Sequence, residues 1–214
     1  MGTLLALLGL ACVAVPYAFD LLVLVIGIMG LYELSTLCDI KGQPLEYPVA
    51  VAGVLGYILL AVFQMQFKWE GGLLAGIVIA TFWIGMYGEH RGYFARTAYT
   101  LLAVLYIGKL LSYFILIRNV PYAGSWWTYE VIVLIAMTDI VAMLAGSAFG
   151  RHPLTKLSPN KTFEGSSAAL VVVMSLGGLI ALYPPMGMTW WQGVILAAAT
   201  CVAAQAGDLV ESAL

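Results

Sequence analysis

The sequence predicts an all-α integral membrane protein, a polytopic bundle of about eight transmembrane helices. Hydrophobic residues make up 63% of the 214 residues and charged residues only 9%, whereas soluble domains carry about 25% charged residues. The mean hydropathy is +0.99. A chain with so little polar surface cannot solvate a globule of this length, so its main solvent is lipid.

The charge and the cysteines exclude other classes of protein. The formal net charge of −2 provides no basic stripe that could neutralise a run of phosphates, so we expect no nucleic-acid partner. The three cysteines are Cys12, Cys38 and Cys201, an odd number that lies far apart in or beside apolar segments. We therefore expect neither a disulfide framework nor a cysteine-rich zinc site.

The first apolar stretch is too long for one span. Residues 3–37 carry only Asp20 and Glu33 as charged side chains. A single helix over this stretch would be roughly 52 Å long, whereas the hydrocarbon core is about 30 Å thick. We therefore predict two short helices that turn near Phe19 and Asp20, with Pro16 at the approach to the turn.

Six further apolar segments follow, and each is close to the roughly 20 residues that a span needs. No soluble domain separates them, so we predict one transmembrane domain over residues 1–214. Within it, residues 1–128 supply the N-terminal helices, and residues 129–214 supply the helices and the loop that carry the polar motifs. The six segments lie at about residues 49–66, 72–88, 98–117, 129–148, 166–183 and 190–206.

The basic residues predict which way the helices run. Loops on the N-terminal side of the membrane hold most of the lysines and arginines, and cytoplasmic loops are the ones enriched in these residues. The polar loop at 150–165 and the residues from 207 onward are therefore predicted to face the cytoplasm. Tryptophans near the opposite interface agree with an aromatic belt. The N-terminal side holds Lys41, Arg91, Arg96, Arg151, Lys156 and Lys161, the other side holds Lys68 and Arg118, and the tryptophans are Trp69, Trp126, Trp127, Trp190 and Trp191.

One carboxylate, Asp139, lies inside a predicted span. An ionised carboxylate there costs several kcal/mol unless it is paired, hydrated or bound to metal. Met143 and Gly146 lie on the same helix face, and the small residues around Gly146 would let another helix pack closely. Asp139 thus indicates either a metal or proton site, or a structural polar contact between helices.

The loop at 150–165 combines basic residues with turn chemistry. Pro159 and Asn160 favour a turn, and Thr162 is a plausible N-cap for the following helix. A helix N-terminus next to Lys156 and Lys161 is a natural binding site for phosphates. The alternative is a basic loop that only follows the charge bias of cytoplasmic loops. The loop is not a P-loop, because the GxxxxGK[ST] pattern is absent from the sequence.

The last residues form a second acidic motif. On a helix, Asp208 and Glu211 share a face, with Ser212 one residue further. Two carboxylates beside a cationic loop suggest Mg²⁺, which takes oxygen ligands and substrate phosphates. The alternative is a solvated helix end. The helix pattern is still unfinished at Leu214, so we expect a C-terminally truncated chain.

These two motifs together resemble the phosphatidate cytidylyltransferases, also called CDP-diacylglycerol synthases. In that family an Asp is followed by Ala, by Gly-Arg or Gly-Lys, and then by Ser-Pro-x-Lys-Thr-x-Glu-Gly. Here the pattern matches Asp139, Ala142, Gly150 with Arg151, and residues 158–165, which read SPNKTFEG. Residues 207–214, GDLVESAL, resemble the opening of the family's C-terminal signature.

The resemblance implies transfer of CMP from CTP to phosphatidic acid, which gives CDP-diacylglycerol and pyrophosphate. It implies CTP, phosphatidic acid and membrane lipid as partners and Mg²⁺ as cofactor. The family's signature continues beyond the residue matched by Leu214, so we expect this chain alone to be inactive. The implied catalytic residues are Asp139, Lys161 and Asp208, the implied metal ligands are Asp208, Glu211 and Asp139, and the implied substrate-binding residues are Arg151, Lys156, Ser158, Asn160, Lys161, Thr162 and Glu164.

Two other functions stay open at this point. A nucleotide-dependent lipid or polyprenol kinase would also combine a cytosolic nucleotide with an amphiphilic acceptor. A transporter would also carry ionisable residues in its spans, although it should show matching broken helices in its two halves. We expect the protein in a bacterial inner membrane or an organellar membrane, and a homodimer stays open.

Overall fold

The computed structural model describes residues 9–87, 92–155, 158 and 160–213, apart from the side chains at 16, 211 and 213. These residues form helices joined by short loops, with one isolated antiparallel bridge between Pro153 and Thr162. A π-helix lies at Val104–Lys109, and a 3₁₀ turn lies at Pro184–Met186. The α-helices are α1 (Pro16–Ile40), α2 (Tyr47–Val62), α3 (Gln66–Tyr87), α4 (Tyr93–Ala103), α5 (Leu110–Arg118), α6 (Gly124–Phe149), α7 (Phe163–Ile180) and α8 (Trp190–Ala213).

The helices confirm the predicted all-α membrane protein. Within the described ranges, six helical segments are long and apolar enough to cross a membrane, and α2 is a shorter apolar helix of 16 residues. These seven correspond in order to the second to eighth predicted segments. The first predicted segment begins at residue 3 and runs to the predicted turn; its residues 3–8 lie outside the described part of the chain, and its residues 9–13 are helical.

The predicted turn near Phe19 and Asp20 is wrong in position. The helical conformation is interrupted at residues 14–15, and α1 begins at Pro16. Proline suits the first position of a helix because its fixed φ is already helical and the N–H that it lacks would have no partner there. The N–H of Phe19 donates to the carbonyl of Val15 at 3.0 Å, so Asp20 lies inside the first turns of α1.

The described residues divide into two compact units. One unit is Val15–Asn119, and the other comprises Met1–Ala14 and Val120–Leu214. The predicted division at residue 128 stays a prediction. The two units are defined by contacts between residues, whereas the predicted division separates the N-terminal helices from the part that carries the polar motifs.

In the unit Val15–Asn119, α2 lies at the centre and contacts every other helix of the unit. Two glycines allow close approach between α2 and the π-helix. A Cβ atom on Gly53 would lie 2.6 Å from Cγ2 of Val104, and one on Gly108 would lie 2.9 Å from Cα of Val54. Small residues commonly mediate such packing between membrane helices, where little hydrophobic force draws helices together.

Some charged side chains of this unit form ion pairs. The Nη1 atom of Arg96 lies 3.2 Å from Oε1 of Glu46, whose backbone N–H donates to Thr100 Oγ1 at 2.8 Å. Lys109, at the end of the π-helix, forms an ion pair with Glu70 of α3. Pairing reduces the cost of placing a charge at membrane depth.

In the other unit, α7 packs against both α6 and α8. The α7 and α8 backbones approach closely at Gly177, where an added Cβ atom would lie 2.7 Å from the carbonyl oxygen of Gly193. A fully buried apolar cluster joins the three helices. It consists of Leu134, Ala169, Val173, Ala197 and Cys201.

Candidate functional site

A groove in the second unit brings the polar motifs together. It has a volume of about 470 Å³ and lies where α6, the loop after it, the start of α7 and the end of α8 meet. The residues that line it are Thr138, Asp139, Ala142, Met143, Gly146 and Ser147 from α6, Leu154, Asn160, Lys161 and Thr162 from the loop, Ser166 from α7, and Gln205 and Asp208 from α8.

The face of α6 that carries Asp139 lines this groove. Asp139 is exposed, and Met143 and Gly146 follow it along the same wall. This confirms the prediction that the three residues share one helix face, because positions separated by three or four residues stack on one side of a helix.

The loop after α6 folds back on itself like a hairpin. The N–H of Leu154 donates to the carbonyl of Lys161 at 2.6 Å, and the N–H of Phe163 donates to the carbonyl of His152 at 2.9 Å. At the tip, the N–H of Lys161 donates to the carbonyl of Ser158 at 3.1 Å. Asn160 lies in a turn, and Lys161 follows on the returning arm; Pro159 lies outside the described residues, so the predicted turn at Pro159 and Asn160 is described only at Asn160.

Thr162 caps α7, as predicted. Its Oγ1 atom accepts the N–H of Gly165 at 3.2 Å, and its own backbone is extended. An N-cap residue fixes where a helix begins, so α7 starts at Phe163. The predicted start at residue 166 was therefore three residues late.

Glycines let α6 and the start of α7 pack closely. A Cβ atom on Gly165 would lie 2.5 Å from the carbonyl oxygen of Ala142 and 3.0 Å from Cα of Gly146. The same packing brings the capped end of α7 to the wall that carries Asp139. The expectation that small residues near Gly146 allow a close helix contact is confirmed.

Lys161 and Asp208 meet in the groove although they lie far apart in sequence. The Nζ atom of Lys161 forms an ion pair with Oδ2 of Asp208. The lysine side chain is 26% exposed and the aspartate side chain is 51% exposed. Both side chains line the groove, but the Nζ atom itself is buried, so a ligand must displace Asp208 to reach it.

Glu164 has a different environment from the other predicted site residues. Its Oε2 atom accepts the backbone N–H groups of Arg151 and His152 at 3.1 and 3.2 Å. Its Oε1 atom lies 2.6 Å from Nδ1 of His152. Glu164 therefore joins the first turn of α7 to the start of the loop.

The structure places the remaining predicted residues as follows. Asn160 lines the groove, whereas Arg151 and Ser158 do not belong to its lining. Lys156 and the side chain of Glu211 lie outside the described residues, so their predicted roles stay predictions.

Gln205 and Ser166 line the groove, and neither was among the predicted site residues. Gln205 donates from Nε2 to the carbonyl of Ser166 at 3.3 Å, and the same atom lies 3.2 Å from Sγ of Cys201. The signal for Gln205 was its polar amide in an apolar span, three residues before Asp208 and so on the same face. Nothing in the sequence singled out Ser166 in this way, because serine hydroxyls are common in membrane helices.

The donor atoms around the groove fit a hard cation such as Mg²⁺. Mg²⁺ is typically held by one or two carboxylates together with substrate phosphates and waters. Asp139 and Asp208 supply two carboxylates to one open cavity, and Gln205 adds an amide. Among the described residues, no group of three or more His, Cys, Asp and Glu side chains lies close enough to form a closed metal cage.

Comparison with known proteins finds relatives along the whole chain. The model of the cytidylyltransferase family matches residues 1–214. The phosphatidate cytidylyltransferase of Bacillus subtilis is 30% identical over 226 residues, which cover 100% of this chain and 81% of that protein. The chloroplastic phosphatidate cytidylyltransferase 4 of Arabidopsis thaliana is 27% identical over 64% of this chain and 41% of its own length. The phosphatidate cytidylyltransferase of Mycobacterium bovis is 31% identical over 43% of this chain and 30% of its own length.

Proposed function

The chain belongs to the cytidylyltransferase family, and from this premise we propose that its groove transfers CMP from CTP to the phosphate of phosphatidic acid. The protein is an integral membrane enzyme with helices that can span a bilayer. The observation that carries the proposal is the convergence of Asp139, Lys161 and Asp208, from three separate parts of the sequence, on one groove.

The reaction needs positioning and charge neutralisation more than covalent chemistry by the protein. A phosphate oxygen of phosphatidic acid attacks the α-phosphorus of CTP and forms a new P–O bond. The bond from the α-phosphorus to the oxygen bridging to the β-phosphorus breaks, and pyrophosphate leaves with that oxygen. Both reactants are anionic, so the enzyme must bring several negative charges together.

Lys161 and the start of α7 supply the positive field for these phosphates. Lys161 lines the groove with its ammonium held by Asp208, and the capped N-terminus of α7 adds the positive end of a helix dipole beside it. Asn160, at the tip of the turn, offers a neutral amide for hydrogen bonds to the same ligands. When phosphates enter, we expect them to replace Asp208 as the partner of Lys161.

Asp139 and Asp208 are the groove carboxylates that would hold Mg²⁺. When bound, Mg²⁺ neutralises phosphate charge and polarises phosphate oxygens. If a phosphate took the place of Asp208 at Lys161, the Asp208 carboxylate would be available to hold the cation. Arg151, Lys156 and Glu211 belong to the same motifs, and we propose that they complete the charge balance around the substrates.

We also propose that the groove faces the cytoplasm. The loop that carries Arg151 and Lys161 lies on the side of the membrane where most of the basic loop residues fall. CTP is a cytosolic nucleotide, and a groove between helices lets a lipid enter from the bilayer. Cysteine labelling of Asn160→Cys with a membrane-impermeant reagent in sealed vesicles would test this orientation.

The direct test is an assay of the purified protein in detergent with Mg²⁺, phosphatidic acid and CTP labelled at the α-phosphate. We expect equal amounts of CDP-diacylglycerol and pyrophosphate. Asp208→Asn should abolish both products while the protein stays folded, and Asp39→Asn, the same change at an exposed position of α1, should have no effect. Formation of CDP and a newly phosphorylated lipid would instead indicate a kinase.

A further inference from the structure

Glu164, one of the predicted substrate-binding residues, has both carboxylate oxygens engaged by the start of the loop that precedes α7. It does not belong to the lining of the groove. Its two oxygens are engaged by the N–H groups of Arg151 and His152 and by the imidazole ring of His152. Its side chain is 27% exposed, whereas that of His152 is 78% exposed.

We infer that Glu164 is a positioning residue, which clamps the start of the loop to α7 and thereby holds Lys161 at the groove. This inference rests on the proposed function of the groove. Glu164 would then act through the backbone at Arg151 and His152, and it would not contact CTP, the lipid or the metal.

The clamp reaches Lys161 through the paired arms of the loop. The carbonyl of His152 accepts the N–H of Phe163, and the N–H of Leu154 donates to the carbonyl of Lys161 at 2.6 Å. An antiparallel bridge joins Pro153 to Thr162 between these two bonds. Because the arms are paired, fixing residues 151–152 also fixes the backbone that presents Lys161.

The geometry also explains why a carboxylate suits this position. Its Oε2 atom accepts two neighbouring backbone N–H groups, and its Oε1 atom is hydrogen-bonded to a ring nitrogen, so both carboxylate oxygens have partners. A glutamine has the same shape. Its carbonyl oxygen could accept both N–H groups, and its amide could donate to Nδ1 of the neutral histidine ring.

Because glutamine can replace the hydrogen bonds of Glu164 but not its charge, the Gln and Ala variants distinguish a positioning role from direct contact with ligand. A positioning residue needs the shape and the hydrogen bonds, so Glu164→Gln should preserve the role and Glu164→Ala should remove it. A residue that binds Mg²⁺ or takes up a proton needs the charge, so both changes should be equally harmful.

The first measurement is hydrogen exchange of the intact protein in detergent without substrate. In Glu164→Ala we expect the amides of Arg151 and His152 to exchange about tenfold faster or more, because local opening exposes them to solvent. Glu164→Gln should exchange like the wild type. The control is Ser167→Ala, in the next turn of α7, since within the described part of the chain its hydroxyl donates to the backbone carbonyls of Phe163 and Glu164 and not to the loop.

The second measurement is the KM for CTP and the kcat of the same variants. If the loop occupies its competent arrangement a tenth of the time in Glu164→Ala, the apparent affinity for CTP falls about tenfold. We expect this rise in KM with the Mg²⁺ concentration for half-maximal rate unchanged, and Glu164→Gln should regain most of the loss. His152→Ala removes only the ring contact and should have a smaller effect.

Each outcome decides the inference. Fast exchange in Glu164→Ala with recovery in Glu164→Gln supports the clamp, and it does so even if the wild type shows no cytidylyl transfer, which would count against the proposed function alone. Unchanged exchange in Glu164→Ala overturns the clamp. Normal exchange in Glu164→Gln with lost turnover and a changed Mg²⁺ requirement also overturns it. If Glu164→Ala does not fold, the Gln and His152→Ala variants still separate the two cases.

Discussion

Lys161 of the loop and Asp208 of α8 form an ion pair inside the groove, 47 residues apart in the chain. The pair joins the two motifs that the proposed reaction needs, one for phosphate and one for metal. In the absence of ligands, each side chain satisfies the other. In the proposed reaction, Lys161 exchanges Asp208 for a substrate phosphate, and Asp208 exchanges Lys161 for a cation.

Exchanging the two charges tests whether the pair serves chemistry or only structure. The double variant Lys161→Asp with Asp208→Lys should regain the ion pair and the thermal stability that Lys161→Asp alone loses. Turnover should stay at least about 100-fold below wild type, the usual loss when a group that stabilises transition-state charge is removed. The measurements are thermal unfolding and the rate of CDP-diacylglycerol formation.

The control for these variants is Lys68→Asp, an exposed lysine at the start of α3, which should leave turnover unchanged. Wild-type turnover in the charge-swapped protein would show that Lys161 and Asp208 act only as a structural pair.

Alanine at Gly165 should loosen the contact between α6 and α7. The new Cβ atom would meet the backbone carbonyl of Ala142 at 2.5 Å, and backbone atoms cannot move aside as a side chain can. We expect a loss of about 1–3 kcal/mol in the free energy of unfolding, which is typical of overpacking. The matched variant is Gly76→Ala in α3, where nothing lies within 4 Å of the added atom; chemical unfolding in detergent should show no loss there.

Two groove residues, Asp139 and Thr162, could be predicted from the sequence because their immediate neighbours indicate them. Asp139 is conspicuous because a carboxylate inside a span is costly. Thr162 is conspicuous because it precedes an apolar helical run. Both predictions depend on a few neighbouring residues, so they did not require knowledge of the fold.

The pairing of Lys161 with Asp208 and the clamp at Glu164 could not be predicted in the same way. Both depend on how α8 and the loop fold back onto α6 and α7, and side-chain periodicity carries no information about that arrangement. The start of α1 was misplaced for a related reason. Proline suits both a turn and the first position of a helix, so Pro16 alone does not decide between them.

Removing the hydroxyl of Thr162 should weaken the start of α7. Thr162→Ala loses the acceptor for the N–H of Gly165, and loss of an N-cap costs about 1 kcal/mol. Thr162→Ser keeps the acceptor and should have nearly wild-type stability. Chemical unfolding of the two variants measures the difference, and equal stability would show that the cap does not contribute.

The metal dependence of turnover gives the last test of the groove. Chelation of divalent cations should abolish CDP-diacylglycerol formation, and added Mg²⁺ should restore it. Because Asp139 supplies one of the two groove carboxylates, Asp139→Asn should raise the Mg²⁺ concentration for half-maximal rate by about tenfold or more, since even residues behind the ligands affect metal affinity on this scale. Asp39 of α1 does not belong to the lining of the groove, and Asp39→Asn should leave this concentration unchanged. A variant Asp139→Asn with a lower maximal rate and an unaltered Mg²⁺ requirement would assign Asp139 to helix packing and leave Asp208 as the groove carboxylate that holds the cation.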